Sequence, residues 1–203
     1  MKKTLFLSTI LLALAWSGDA GAQLVTYDFE GDVATPSFVD GEVSASDFSR
    51  NAVAFGFSTG SPGDAISGNG WNASDRYWEF TVTANPGIAL DLSSLSFDYR
   101  RSSTGPSGYE VTINGLNVSS GSMTATLTGN TFYPATVPIS GFSTLSSAQV
   151  RIYGTGATGP SGTFRLDNVV LDGLALRTVP EPSTWLLLAG GSVFLASRLR
   201  RRK

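Results

Sequence analysis

The amino-acid sequence predicts an all-β domain, folded as an antiparallel β-sandwich of the jelly-roll type. Three observations support this fold class. Short segments alternate apolar and polar residues with a period of two, which is typical of strands that bury one face. Glycine, proline, asparagine and aspartate separate these segments at the short intervals that turns require. No window of the central part shows the 3.6-residue period of an amphipathic helix.

The clearest strand signal lies in residues 76–83. Trp78, Phe80 and Val82 share one apolar face, whereas the intervening side chains are polar, so Trp78 is expected in the core. In residues 52–57 the same pattern places Val53, Phe55 and Phe57 on one face. The other segments with strand character are 24–29, 95–101, 109–113, 124–128, 149–154 and 164–176.

The first 22 residues have the features of a secretory signal peptide. Lys2 and Lys3 precede an apolar stretch, Leu5–Trp16, and the small residues Ala20-Gly21-Ala22 follow it. This order predicts cleavage after Ala22. The chain therefore divides into a signal peptide at 1–22, a β-sandwich ectodomain at 23–177 and a C-terminal segment at 178–203.

The charge of the ectodomain differs from that of the whole chain. Residues 23–177 contain fourteen acidic residues, seven arginines and no lysine, which gives a net charge of −7 against −2 for the complete sequence. An acidic domain without a basic stripe is a poor ligand for phosphate backbones. Nucleic acid is therefore excluded as a partner.

The absence of cysteine and histidine removes several kinds of chemistry. Disulfides, zinc sites built on these residues and Ser-His-Asp or Cys-His catalysis are all excluded. A hydrolase would have to use two carboxylates, as glycosidases do, and the sequence does not bring any two together. We therefore expect a protein that is not an enzyme. The acidic candidates for the alternative are Asp28, Glu30, Asp32, Asp75, Glu79, Asp98, Glu110, Asp167 and Asp172.

The pentapeptide TGPSG occurs twice, at 104–108 and at 158–162. Each copy follows an arginine-bearing strand and precedes another strand. Proline and glycine in this order predict a loop, so we interpret both copies as hairpin loops that lie near each other at one end of the sandwich.

Two short segments indicate a metal site. YDFEGD at Tyr27–Asp32 and RLDNV at Arg165–Val169 resemble the terminal strands of carbohydrate-binding jelly rolls. The resemblance implies adjacent first and last strands that hold a structural calcium ion, with Glu30 and Asp167 as its first ligands and Asp28 next. The alternative is that these acids accept hydrogen bonds from backbone N–H groups or from Arg165.

Sugar binding would require exposed aromatic rings. Trp71 lies in the loop-like segment GNGWN and is the first candidate, while Tyr109 and Tyr133 come second. Trp71 could equally well plug the end of the sandwich.

The C-terminal segment combines three features. The sequence Val179-Pro180-Glu181-Pro182-Ser183 precedes an apolar run of 13 residues, Trp185–Ser197, and a basic end at 198–203. The run is shorter than the ~20 apolar residues of an ordinary membrane-spanning helix. Together the features resemble the PEP-CTERM sorting signal of Gram-negative bacteria. The resemblance implies a short transmembrane helix that anchors the protein transiently, and processing by an exosortase. A plain single-span anchor is the alternative.

These observations predict an exported, non-enzymatic protein of the cell surface or extracellular matrix, associated with exopolysaccharide. The ectodomain is also similar to glycine- and serine-rich β domains found upstream of such tails, through the segments 94–111 and 150–173. A carbohydrate-binding module of jelly-roll type is the alternative function. A carboxylate-based glycoside hydrolase is a third, weaker candidate function.

Overall fold

The structure is a computed structural model that describes residues 21–51, 53–125 and 130–178. These residues form thirteen strands and no helix. In chain order the strands are β1 Ala22–Tyr27, β2 Phe38–Val39, β3 Val43–Ala45, β4 Ser49–Arg50, β5 Gly56–Thr59, β6 Asp64–Gly68, β7 Tyr77–Ala84, β8 Ile88–Arg101, β9 Gly108–Ile113, β10 Leu116–Ser122, β11 Tyr133–Pro138, β12 Ser147–Thr155 and β13 Phe164–Arg177.

The strands form two antiparallel sheets that pack around one core. The first sheet has the order β11-β8-β13-β1-β2, with β6 beside the start of β13 and β5 beside β6. The second sheet has the order β10-β9-β12-β7-β3, with β4 also paired to β7. The chain crosses repeatedly from one sheet to the other, as in jelly rolls. The predicted all-β antiparallel sandwich is confirmed.

Strand β13 is the central element of the first sheet. It pairs with β8 from Phe164 to Arg177 on one side. On the other side its first residues, Phe164–Leu166, pair with β6, and residues Val169–Gly173 pair with β1. The first and last strands are therefore neighbours, as the resemblance to jelly rolls implied.

The core contains a cluster of aromatic side chains around Phe48, which lies in the connection between β3 and β4. Its ring centroid lies 5.1 Å from that of Tyr27, 5.2 Å from Phe29 and 5.5 Å from Phe80. Trp78 is 6.0 Å away and fully buried, as the alternation in its strand predicted. Phe48 thus joins the inner faces of both sheets.

The predicted strand at 52–57 is wrong at residues 53–55. Strand β5 begins only at Gly56, and Phe55 is 37% exposed. Strand β4, which ends at Arg50, belongs to the second sheet and β5 to the first. Residues 53–55 therefore lie in the connection between the two sheets and pair in neither. The predicted strand at 124–128 falls partly on residues outside the described ranges.

The two TGPSG segments lie together, but neither is a hairpin loop. One connects β8 to β9 and the other connects β12 to β13, so both cross between the sheets. The carbonyl oxygen of Thr104 accepts hydrogen bonds from Thr158 N at 3.1 Å and Gly159 N at 3.3 Å. The loops predicted from proline and glycine are confirmed. The hairpins are not, because the two strands that each loop joins do not pair with each other.

The two ends of the chain carry predictions that fall outside the described residues. These are the greater part of the signal peptide and the segment 179–203 with its short transmembrane helix. Within the ranges that the structure covers, no helix is long and apolar enough to cross a membrane.

We expect Phe48→Ala to lower the free energy of unfolding by about 3–5 kcal/mol, because it empties a buried aromatic site. Chemical denaturation followed by tryptophan fluorescence measures this loss. Phe38→Ala is the matched control, since Phe38 is 42% exposed and its loss should change stability by less than about 0.5 kcal/mol. Equal effects at the two positions would contradict the assigned core.

Candidate functional site

Two surface pockets use residues from the connection between β6 and β7. The first, here called the Trp71 pocket, has a volume of about 440 Å³. The second, the Phe55 pocket, has a volume of about 230 Å³. The Trp71 pocket is lined by Trp71, Asn72, Ala73, Ser74, Glu110, Gly154, Thr155, Gly156 and Ala157. The Phe55 pocket is lined by Ala54, Phe55, Gly56, Phe57, Ser67, Gly68, Asn69 and Thr163.

The ring of Trp71 is packed inside the protein and is only 1% exposed. Its Nε1 donates to the carbonyl oxygen of Gly68 at 2.8 Å, and its centroid lies 5.5 Å from Trp78 and 5.1 Å from Phe164. The guanidinium of Arg50 covers it at 4.2 Å. The ring therefore has no free face for a sugar, and Trp71 closes this end of the sandwich. It contributes an edge to the pocket that bears its name.

Arg50 is a buried cation that sequence reasoning missed. It is 8% exposed, and its Cζ lies 4.2 Å from the centroid of Trp71 and 5.4 Å from that of Trp78. The Nη atoms donate to the carbonyl oxygens of Asn69 and Ala54, while Nε is buried without a partner. Burial lowers the pKa of Arg50 to about 10, with a smaller contribution from nearby Arg76. Arg50 thus stays charged at neutral pH.

A sequence signal for Arg50 did exist. It is the first basic residue after Lys3, and it lies in the otherwise neutral segment 48–57. A lone cation next to apolar residues is typical of a buried, functional or stacked arginine. The aromatic partners could not be identified, because Trp71 and Trp78 follow it by more than twenty residues.

The two tyrosines predicted as secondary sugar platforms do not line either pocket. Tyr109 lies in β9 with its ring against Phe97 at 5.3 Å, and burial raises its pKa. Tyr133 begins β11, where its ring lies 5.9 Å from that of Tyr99. The structure therefore does not bring Trp71, Tyr109 and Tyr133 together in one binding surface. Glu110, which follows Tyr109 in β9, is the residue of that strand that lines the Trp71 pocket.

Asp167 lies where β13 exchanges β6 for β1 as its neighbour, and it is 1% exposed. Its Oδ2 accepts a hydrogen bond from Ser61 N and its Oδ1 from Asn168 N, both at 2.7 Å. Burial raises the pKa of Asp167, and the negative charges of Asp98 and Glu30 add to this, although the two backbone bonds act in the opposite direction. The carboxylate is thus a buried cap for backbone amides.

The acids predicted as calcium ligands do not form a metal-binding group within the described residues. Glu30 is exposed with its carboxylate against Gly63, and Asp28 accepts a hydrogen bond from Glu30 N at 3.3 Å. No three potential metal-ligating side chains come together in the described part of the chain. Calcium binding stays a prediction of the sequence resemblance.

The pockets also bear on catalysis by carboxylates. A glycosidase needs two carboxyl groups on either side of one bond, about 5–10 Å apart. Glu110 is the one acidic residue among those that line the Trp71 pocket, and the lining of the Phe55 pocket contains none. Neither pocket therefore offers the required pair.

Comparison with known proteins identifies the C-terminal segment. Residues 178–202 match the family described as the PEP-CTERM protein-sorting motif, which confirms the sorting signal predicted from the sequence. The comparison with curated protein sequences finds no match.

Solved structures of similar fold include three β-rich domains. The CBM22-1–CBM22-2 tandem domain of Xyn10C from Paenibacillus barcinonensis has 13% identity and a TM-score of 0.46, covering 83% of this chain and 49% of its own. The K3 cleaved adhesin domain of Lys-gingipain from Porphyromonas gingivalis has 15% identity and a TM-score of 0.43, covering 74% and 99%. The carbohydrate-binding module CBM36, solved with calcium and xylotriose, has 15% identity and a TM-score of 0.43, covering 64% and 98%.

We expect the stability of the wild-type protein to fall relative to Asp167→Asn as the pH rises from about 4 to 7. The folded state raises the pKa of Asp167 above its ordinary value of 3.8, so the folded protein holds that proton more tightly than the unfolded chain. The stabilisation is complete below the unfolded pKa and is lost as the pH rises through the folded pKa. Chemical denaturation of both proteins at each pH measures the change.

Asp75→Asn is the control for this pH series, because Asp75 is exposed and lies outside the cap. A wild-type protein that gains stability relative to Asp167→Asn as the pH rises would contradict the assignment. Repeating the wild-type series with EDTA tests the calcium alternative. A lower melting temperature in EDTA would show that a metal, and not the backbone amides alone, holds this region together.

Proposed function

We propose that this protein is exported and sorted to the cell surface or extracellular matrix, where it acts without catalysis in association with exopolysaccharide. The observation that carries the proposal is the PEP-CTERM protein-sorting motif at residues 178–202. Its partner in sorting would be an exosortase-type enzyme of the membrane. The chain would be anchored through 178–203 only until that enzyme acts.

The strand limits support the proposed division of the chain. Strand β1 begins at Ala22, the proposed last residue of the signal peptide, and β13 ends at Arg177, directly before the sorting motif. The first and last strands pair with each other, so the ectodomain at 23–177 closes as one unit. Removal of residues 1–22 would therefore cost β1 only its first residue, Ala22, and removal of 178–203 would cost no strand residue.

The position of the tail relative to the pockets supports a surface role. Thr178 donates from its backbone N to the carbonyl oxygen of Gly87 at 2.8 Å, which holds the start of the tail at the turn between β7 and β8. Thr163, at the opposite end of β13, lines the Phe55 pocket. The fourteen residues of β13 span about 45 Å at ~3.3 Å per residue. An anchored chain would therefore direct its pockets away from the membrane.

Replacing Pro180-Glu181-Pro182 by three alanines should abolish processing, because the motif that the enzyme reads is lost. The wild-type protein recovered from cells should lack its C-terminal segment, whereas the variant should keep it and stay in the membrane fraction. Intact-mass measurement of each cell fraction gives both results. The control is the triple alanine variant of Thr35-Pro36-Ser37, which changes an exposed loop of similar composition. Unchanged mass and location for the first variant would overturn the sorting role.

Carbohydrate binding is the second candidate function, and the Trp71 pocket favours it. Its volume of about 440 Å³ lies in the ~300–1,000 Å³ range of small-molecule sites. Around the edge of Trp71 it presents the polar side chains of Asn72, Ser74, Glu110 and Thr155. Such hydroxyl, amide and carboxylate groups can pair with the hydroxyl groups of a sugar. The pocket binds and does not cut, since it lacks a second carboxylate.

Glu110→Gln should weaken glycan binding about tenfold, because the charge-assisted hydrogen bonds of a carboxylate are the strongest contacts that this pocket offers. A glycan array identifies the ligand, and calorimetry with that glycan measures the change. Glu42→Gln is the matched control, since Glu42 pairs with Arg177 near the opposite end of β13. Equal affinity in both variants, or no bound glycan, would count against binding in this pocket.

A further inference from the structure

The charge of Arg50 has no counterion in the described structure. Its guanidinium is in contact with two tryptophan rings and two backbone carbonyl oxygens, and no acidic side chain of the described ranges lies within ion-pair distance. Removing an ion from water is costly unless another charge compensates it. Carbonyl dipoles and ring faces compensate only part of this cost. A counterion from outside the chain would therefore gain from the interaction.

A second arginine lies on the same side of the protein. Arg50 pairs with Trp78 in β7, and Arg76 directly precedes that strand, so the two arginines lie on neighbouring segments of the chain. The positive charge of Arg76 also contributes to the lowered pKa of Arg50. The Nε of Arg76 is also buried without a partner, and its ion pair with the exposed Asp75 is long, at 3.6 Å. Two incompletely neutralised arginines thus occur together in an ectodomain whose net charge is −7.

The Phe55 pocket opens directly over Arg50. Ala54 and Asn69, whose carbonyl oxygens accept from the guanidinium, both line the pocket. Gly68 lines it as well, and a Cβ on Gly68 would lie only 2.6 Å from Nη1 of Arg50. The buried charge is therefore in contact with residues that form the pocket wall. A charge held within protein is screened less than one in bulk water, so it attracts an anion bound against that wall.

The walls of the pocket suit a sugar ring. Phe55 is 37% exposed, and its ring lies edge-on to Phe57 with centroids 6.0 Å apart. Aromatic faces pack against the C–H groups of a pyranose, and Ser67 and Thr163 add hydroxyl groups. The volume of about 230 Å³ is smaller than the ~300–1,000 Å³ of pockets for drug-sized ligands, so it admits one ring and not a chain segment.

We propose that the Phe55 pocket binds a carboxylate-bearing sugar, a uronic acid residue of an acidic polysaccharide, with the buried Arg50 behind the pocket wall providing the positive charge. This inference rests on the proposed carbohydrate binding and names its ligand class. The sugar ring packs against Phe55, and its carboxylate lies over Gly68 and Asn69. The ectodomain has a net charge of −7, so the pocket attracts the anionic ring locally while the net charge of the domain disfavours the chain.

The test compares two forms of the same polymers: alginate, polygalacturonate and hyaluronan, each intact and after chemical reduction of its carboxyl groups to neutral alcohols. We expect at least one intact polymer to bind the exported protein tenfold or more tightly than its reduced form. This preference should decrease from 50 to 500 mM NaCl, because salt screens the attraction. Calorimetry or surface plasmon resonance measures both effects.

Asn69→Asp is the decisive variant. It places a negative charge beside Arg50 on an exposed side chain, so it should cost tenfold or more in affinity for the intact polymer and nothing for the reduced one. Asn117→Asp makes the same change on the exposed edge strand β10 and should leave both affinities unchanged.

Arg50→Met gives a second measurement. This variant should bind intact and reduced polymers equally well, and its thermal unfolding should show that the protein is still folded.

Three other results would contradict the proposal, and they differ from one another. Equal binding of intact and reduced polymers, unaffected by Asn69→Asp, would overturn the uronate assignment and leave carbohydrate binding standing. Binding of neither form would overturn both. Displacement of the polymer by inorganic phosphate as effectively as by free glucuronate would show a general anion site and overturn the assignment to a sugar.

Discussion

The fold depends on how strand β13 changes its neighbour near its beginning, at Asp167 and Asn168. Before Asp167 the strand pairs with β6, and after Asn168 it pairs with β1. A ladder that exchanges partners leaves backbone N–H groups without an acceptor, and a buried unpaired amide costs about 1–3 kcal/mol. The carboxylate of Asp167 accepts from two such amides, Ser61 N and Asn168 N. Asn168 adopts a positive φ of 47°, and its side-chain Nδ2 donates to Asp98 Oδ2 at 3.0 Å. Both features belong to the β-bulge that β13 forms here in its pairing with β8.

This exchange of partners also determines where the pockets lie. Because β6 pairs with the start of β13, the chain that follows β6 reaches the end of the sandwich, where Trp71 packs against Phe164. Trp71 in turn supports Arg50, which belongs to the other sheet through β4. The pockets on either side of this stack therefore depend on both sheets. The sorting motif begins directly after the far end of the same strand, at residue 178.

The buried charge and the acidic exterior act together in the proposed recognition. An acidic, lysine-free ectodomain disfavours anionic polymers in general, whereas Arg50 is a local positive charge beside a pocket. Arg50 and Asp167 are both buried and both hydrogen-bonded to backbone groups. They differ in position, since residues that contact Arg50 line the Phe55 pocket, whereas Asp167 accepts from amides where β13 exchanges β6 for β1.

The sequence by itself determined the features that local patterns encode. Alternation with a period of two revealed the all-β class, and the core position of Trp78 followed from it, because strand periodicity depends only on adjacent residues. The signal at 178–202 is likewise a linear motif. Only the tertiary structure showed that Trp71 is covered by Arg50, that the TGPSG loops join different sheets and that Asp167 caps Ser61 N. These contacts join residues twenty to more than one hundred positions apart. Such pairings depend on strand order and sheet packing, and no local pattern carries that information.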